Sequence, residues 1–405
     1  MKRGHADLPL HYGTVPQWLA QRMSRLGGAI VEAIVMEYGR SEFLRRMSDP
    51  FWFQSLGCVL GMDWHSSGIT TSVMNALKKS VNLRSDDLGI YICGGRGKSS
   101  RQTPAELLSV AERTGLDGAS LVRSSKLSAK VDNTAVQDGF QLYLHSFIVT
   151  ADGEWAVIQQ GMNQDSRMAR RYHWLSSAME TFTEEPHTSV CGRNQGLILN
   201  LTHHDALPTK KGILELVHEN PGRLMREVEL IMPRHHEVTA PDVNMRRLGA
   251  ALRLAYETDV RDIEALLLLE GVGPRTLQSL TLASEVIHGT PSRFADPARF
   301  SFAHGGKDGH PFPVPTKVYD ETIDIFDKVI HAARMGNTDK SDALRNLSVI
   351  SAEMERGYTP SDYFDRFVEH ERSNAWRWGG KTVKGDAVCP KDEDKQEKNG
   401  QLSLW

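Results

Sequence analysis

Apolar side chains recur at helical spacing over 16–47, at Leu19, Met23, Leu26, Ile30, Ile34 and Val35, which predicts one long amphipathic helix. A second helix is expected after Trp64-His65-Ser66-Ser67-Gly68, with Val73, Leu77 and Val81 as its apolar stripe. Leu88 to Cys93 reads as a short strand ending in Gly94-Gly95-Arg96-Gly97-Lys98, and a further helix is expected from Pro104, a residue suited to a first helical position. The run Phe140 to Val149, the turn Asp152-Gly153 and the return Trp155 to Gln160 predict a β-hairpin. Beyond 165 the pattern is mainly helical, with one strand expected at Leu197 to Leu201.

These elements predict an α+β chain in three parts. A mixed α/β domain with the hairpin covers 1–165 and is the candidate catalytic region. A mainly helical domain follows over 166–378. A tether over 379–405 is expected to be disordered, because 379–400 is charged and carries almost no large apolar residue to bury.

Composition adds bounds rather than identity. The chain has 405 residues, 40% hydrophobic and 24% charged, as folded globular proteins do. Its formal net charge of −3 argues against coating nucleic acid by bulk charge and leaves room for a local basic face. Basic clusters such as Arg167, Arg170 and Arg171 read as solvated helix faces. Four dispersed cysteines, Cys58, Cys93, Cys191 and Cys389, form no CxxC pair, so a zinc ribbon is not expected and a reduced compartment is. No apolar run is long enough to span a bilayer, and Met1 to His5 leads into no signal-type stretch. A cytoplasmic, nucleoid-associated protein without a membrane partner is expected.

The densest local signal lies near 262–288. Leu266-Leu267-Leu268-Leu269-Glu270-Gly271-Val272-Gly273-Pro274-Arg275-Thr276-Leu277 has the form of a helix-hairpin-helix: an apolar helix end, Gly-hydrophobic-Gly, then a second helix. Such a turn aims backbone N–H groups and a helix N-terminus at one spot, where a DNA phosphate fits without sequence readout. Gly271, Val272, Gly273, Arg275 and Thr276 are therefore the expected DNA-binding residues, together with Lys307 of the Gly- and His-rich stretch. The chain ends in Gln401-Leu402-Ser403-Leu404-Trp405, which resembles the bacterial sliding-clamp-binding peptide with Trp405 in place of the usual Phe. Gln401, Leu402, Leu404 and Trp405 are the expected clamp contacts, at the end of a tether that lets them reach a partner.

Chemistry is carried by weaker signals. Asp132 and Asp138, beside the hairpin, offer the oxygen ligands that Mg²⁺ or Mn²⁺ needs. His203-His204-Asp205 and His235-His236-Glu237 also place ligand types together, but neighbours on a strand point to opposite faces. The loops at 63–68 and 94–98 and the Gly- and His-rich stretch His304 to His310 could each cradle a phosphate or line a site, though none has Walker spacing.

Several strings together resemble the prokaryotic family known as domain of unknown function 763. They include Asp49-Pro50-Phe51-Trp52-Phe53-Gln54, Asp63-Trp64-His65-Ser66-Ser67-Gly68, Gln137-Asp138-Gly139, Ala169-Arg170-Arg171-Tyr172-His173-Trp174, Met232-Pro233-Arg234-His235-His236 and Phe302-Ala303-His304-Gly305-Gly306-Lys307-Asp308-Gly309. The resemblance covers 5–375 and implies little about function. It shifts the expected site toward Asp63, His65, Asp138, His304 and Lys307. The leading expectation is a DNA-binding protein of repair or replication: a metal-dependent nuclease with Asp138, Asp63 and His65 as catalytic residues and Asp138, Asp132 and His304 as metal ligands. A non-catalytic repair adaptor is the alternative. A base-excision glycosylase using Asp296 is a third.

Overall fold

A computed structural model describes residues 8–9, 15–62, 67–231, 245–298, 316–333, 336–355, 381–382 and 385–386. The chain divides into two units: 1–303 with 323–352, and 304–322 with 353–405. The second is described only at 316–322, 353–355 and a short antiparallel pair, Lys381–Thr382 with Gly385–Asp386, which falls in the tether expected to be disordered; the rest of 379–405 lies outside the described residues.

The first unit is α+β. Helices α1 (Gln17–Tyr38), α2 (Arg40–Ser48), α3 (Pro50–Val59), α4 (Gly68–Val81) and α5 (Ser85–Leu88) lead into an antiparallel sheet. One helix was expected over 16–47, but Gly39 at φ +86 ends α1 and turns the chain into α2. Asp49 caps α3 by accepting from the N–H groups of Phe51 and Trp52. The sheet carries β1 (Leu8–Pro9), β2 (Ile90–Arg96), β4 (Gln141–Thr150), β5 (Trp155–Asn163), β6 (Met168–Leu175) and β7 (His187–Cys191). Its order is β2-β4-β5-β6, with β1 and β7 both on the free edge of β6.

Helices α6 (Lys98–Thr114) and α7 (Gly118–Lys130) connect β2 to β4 through a single π turn (Val131–Ala135) and β3 (Val136–Gln137). The expected start of α6 at Pro104 is six residues late. Pro104 lies inside the helix, and the Ser100 carbonyl that it deprives of an N–H accepts from the Thr103 hydroxyl instead, at 2.8 Å.

Period-two alternation gives the sheet two buried faces. Ile148, Ile158 and His173 face α2, α3 and α4, where Phe53 meets His173 edge to face and Met47 accepts from its ring. Phe147, Val157 and Trp174 face α6 and α7, and this core continues without a break into α8 (Leu207–His218), α9 (Pro221–Ile231), α10 (Met245–Glu257), α11 (Ile263–Leu268) and α12 (Pro274–His288). β3, β8 (Leu197–Asn200) and β9 (Phe294–Ala295) form a small second sheet.

The boundary expected at 165 therefore falls in the turn between two paired strands, and its two sides share one core. The cluster Arg167, Arg170 and Arg171 predicts a solvated helix face, yet it lies at and in strand β6, where Arg170 and Arg171 are fully buried, one on each face. Helices α13 (Thr316–Ala332) and α14 (Asn337–Glu355) follow, and Phe326 of α13 stacks on Trp52 of α3 at 5.1 Å. No helix among the described residues is long and apolar enough to cross a membrane.

Candidate functional site

α11 and α12 form a tight helix pair at the position expected for the phosphate-binding turn. Asp262 caps α11 by accepting from Ala265 N at 2.7 Å, and Leu266 and Leu267 fix the helix in the core. The chain leaves the helix at Leu269, and Gly271 takes φ +82, a conformation that a side chain would strain. Val272 drops into the core, and Thr276 closes the turn by donating its hydroxyl to the Gly271 carbonyl at 3.2 Å. Thr276 is thus a buried brace rather than a contact residue.

Gly273 differs from Gly271. It is extended, at φ −129 and ψ −175, and a Cβ there would meet nothing within 4 Å. Its carbonyl accepts from Thr276 N and Leu277 N, both at 3.0 Å, which starts α12, and Pro274 follows as the first helical residue. The N–H groups of Gly273 and Arg275 have no acceptor among the described residues. With the exposed Arg275 side chain they leave the α12 N-terminus open to an anion.

α7 lies along this pair. Arg123 pairs with Glu264 of α11 at 2.8 Å, and Lys130, two helical turns later, donates to the Val272 carbonyl at 2.6 Å. Lys126 lies between them on the same helix face and is exposed. Gln137 donates to the Pro274 carbonyl at 2.8 Å, so both ends of the turn are tied to the first half of the chain. Burial pulls the Lys130 ammonium below the usual lysine range. One of its three N–H bonds holds the turn, which leaves two for an anion at the surface. Sequence reasoning missed Lys126, Lys130 and Gln137: the i, i+4 lysine pair was legible, but the docking of Lys130 and Gln137 on residues more than 130 positions later was not.

The acids expected to bind metal lie in the core. Asp138 is 2% exposed. Its Oδ1 accepts from Phe140 N at 3.0 Å, and its Oδ2 accepts from Tyr172 at 2.6 Å and Arg170 at 2.8 Å. Burial pushes its carboxyl up against the pull of Arg170, which the two neighbouring carboxylates hold above the ordinary arginine range. Asp132 is fully buried as well, accepting from Gln159 at 2.5 Å and Trp174 at 3.0 Å and pairing with His187 at 2.5 Å. Both carboxylates spend their lone pairs on protein donors, so the structure brings neither to a surface where an ion and a phosphate could meet.

Asp296, the acid of the glycosylase alternative, is 4% exposed and chelates Arg170. A chain of hydrogen bonds runs beside Asp132: Ser125 Oγ to His145 Nε2 and His145 Nδ1 to Gln159 Oε1, both at 2.8 Å. Gln159 donates through its nitrogen to Asp132, so its oxygen accepts from Nδ1–H and the bare Nε2 accepts from Ser125. Those are the roles of a nucleophile and its base, but Ser125 and His145 are 3% and 6% exposed, and burial depresses His145 to about 4. The chain is a sealed brace between α7 and the sheet.

The Gly94-to-Lys98 loop is no phosphate cradle either. Gly94 and Gly95 belong to β2, and the Gly94 N–H is taken at 2.6 Å by the Glu106 carboxylate, which Lys78 in turn pairs with at 2.7 Å, so this N–H is not offered to a phosphate. Asp63, His65, His304, Lys307 and the contacts expected at Gln401, Leu402, Leu404 and Trp405 lie outside the described residues.

A family model described as "Protein of unknown function (DUF763)" matches residues 4–314. No curated protein and no solved structure matches the chain.

Proposed function

The chain belongs to the DUF763 family, and for it we propose a DNA-binding function in which the turn at 269–276 grips the phosphate backbone. One observation carries the proposal: the α12 N-terminus is open, with two backbone N–H groups lacking an acceptor among the described residues, the exposed Arg275 on it and Lys130 bonded to the turn, while Lys126 is exposed on the same face of α7. Backbone amides, a helix dipole and exposed cations recognise phosphate and no base, so binding is expected to be salt-dependent and indifferent to sequence. The exposed Glu270 at the same turn limits how closely a second phosphate approaches. The C-terminal string 401–405, outside the described residues, adds a bacterial sliding clamp as the proposed partner that brings such a binder to replicating DNA. No hydrolytic step is proposed through Asp138 or Asp132, whose oxygens are occupied.

The test is fluorescence anisotropy with labelled duplexes of unrelated sequence, from about 50 to about 200 mM salt. Gly273→Val suits it, because the position is extended and open, so the protein folds while the added side chain blocks the N-terminus. Binding to every duplex should weaken by at least about tenfold, the loss of roughly one charge-assisted hydrogen bond. The double variant Arg275→Ala and Lys126→Ala should lower the slope of log K against log salt by about 2, one unit per cation. Parental affinity in the folded Gly273→Val protein would remove the turn from the interface.

A further inference from the structure

A cluster of metal-ligating side chains lies away from this turn. As strand neighbours His203 and His204 would point to opposite faces, but they follow β8 into a short 3₁₀ turn (His204–Ala206) that His203 caps. The turn brings the two imidazoles onto one side, stacked with centroids 4.2 Å apart. Glu185, from the loop before β7, faces them, and one ligand atom each from Glu185, His203 and His204 lies within 4.8 Å of the others. We propose that Glu185, His203 and His204 form a surface site for a borderline divalent cation of the Zn²⁺ type.

The arrangement is a His₂Glu set, which with one water completes the four-coordinate geometry of zinc. Imidazole nitrogen favours zinc-like ions over Mg²⁺, whose ligands are oxygens. Four ligands about 2 Å from an ion stand roughly 3.3 Å apart, so the three side chains close by a further 1 to 2 Å or so, within reach of side-chain rotation. The backbone beneath them is fixed. Glu185 holds φ +42, an unfavourable conformation for a side-chain-bearing residue, and its N–H is tied to the Thr202 carbonyl at 2.8 Å.

The Lys210 ammonium holds the same loop through the Thr183 carbonyl at 2.7 Å, and the His203 ring stacks on Phe294. Asp205 supplies the outer support that metal-binding histidines use. Its Oδ1 is 3.3 Å from His204 Nε2, while Glu185 Oε1 is 3.2 Å from His204 Nδ1. One ring nitrogen can therefore turn to an ion while the other keeps a carboxylate. His203 Nδ1 accepts the Asp205 N–H at 3.1 Å, so the ring proton lies on Nε2, and ligation through Nε2 moves that proton to Nδ1 and gives up this one hydrogen bond.

Full-length protein stripped with a chelator should be titrated with Zn²⁺ by calorimetry and with Co²⁺ by visible absorption. The double variant Glu185→Gln and His204→Asn serves as comparison. Both side chains are about half exposed, so the variant keeps its fold, checked by its melt. The parent should bind one ion more than the variant, or bind it at least about tenfold more tightly, and should give the intense Co²⁺ bands of a four-coordinate ion. Equal stoichiometry, affinity and Co²⁺ spectrum in parent and variant would overturn the site. Ions held by the chain's other histidines appear equally in both proteins and cancel.

Discussion

Replacing Asp296 by Asn changes one atom and should cost about 3 kcal/mol, at the lower end for breaking a buried ion pair. Both carboxylate oxygens face donors only. Oδ1 accepts from Arg170 at 3.0 Å and Ala298 N at 2.9 Å, and Oδ2 accepts from Arg170 and from Gln195 N, both at 2.8 Å. An amide presents an NH₂ to two of these N–H groups whichever way it is flipped, so no rotamer rescues it. The variant also removes one of two charges balancing Arg170, itself wholly buried with its Nε lacking a hydrogen-bond partner among the described residues. Asp138 remains beside the guanidinium, which is why the cost stays near the lower bound. Urea unfolding followed by tryptophan fluorescence should show a lower midpoint at unchanged slope, and a loss of melting temperature of roughly 4 °C for a unit of this size. A midpoint indistinguishable from the parent's would show that this ion pair does not hold the segment after α12 to the sheet.

Two further outcomes follow from the same chain. His145 is buried as the neutral ring, depressed to about 4, so the folded state takes up fewer protons than the unfolded state between about pH 6.5 and pH 4. Its contribution is complete above that window and falls by about 3 kcal/mol as the pH drops through it. Asp132 and Asp138, whose carboxyls are raised, act with the opposite sign, so the comparison is between parent and His145→Asn; equal pH slopes in the two urea series would remove His145 from the acid response. Deleting 401–405 should abolish retention on an immobilised bacterial sliding clamp while leaving the melt and duplex binding unchanged, and equal retention would exclude that string as the contact.

Local order was legible in the sequence. Period-two alternation around Asp152-Gly153 predicted the β4–β5 hairpin, and the stripe Val73, Leu77, Val81 predicted α4. Gly271-Val272-Gly273-Pro274 predicted a helix, a turn and a helix, because glycine and proline act on their own φ angles and need no distant partner. What the tertiary structure decided was the fate of the charges. Arg170 reaches Asp138 and Asp296 across 32 and 126 positions, so a pattern that reads as a solvated basic face belongs to a buried strand. Asp138 and Asp132 have the composition of metal ligands and the surroundings of a core. His203 and His204 have the spacing of strand neighbours and the placement of a cluster, because a turn stacks them and a loop from elsewhere supplies Glu185. Backbone preference is encoded within a few residues; whether a charge meets water, another charge or an ion depends on which distant segments packing brings beside it.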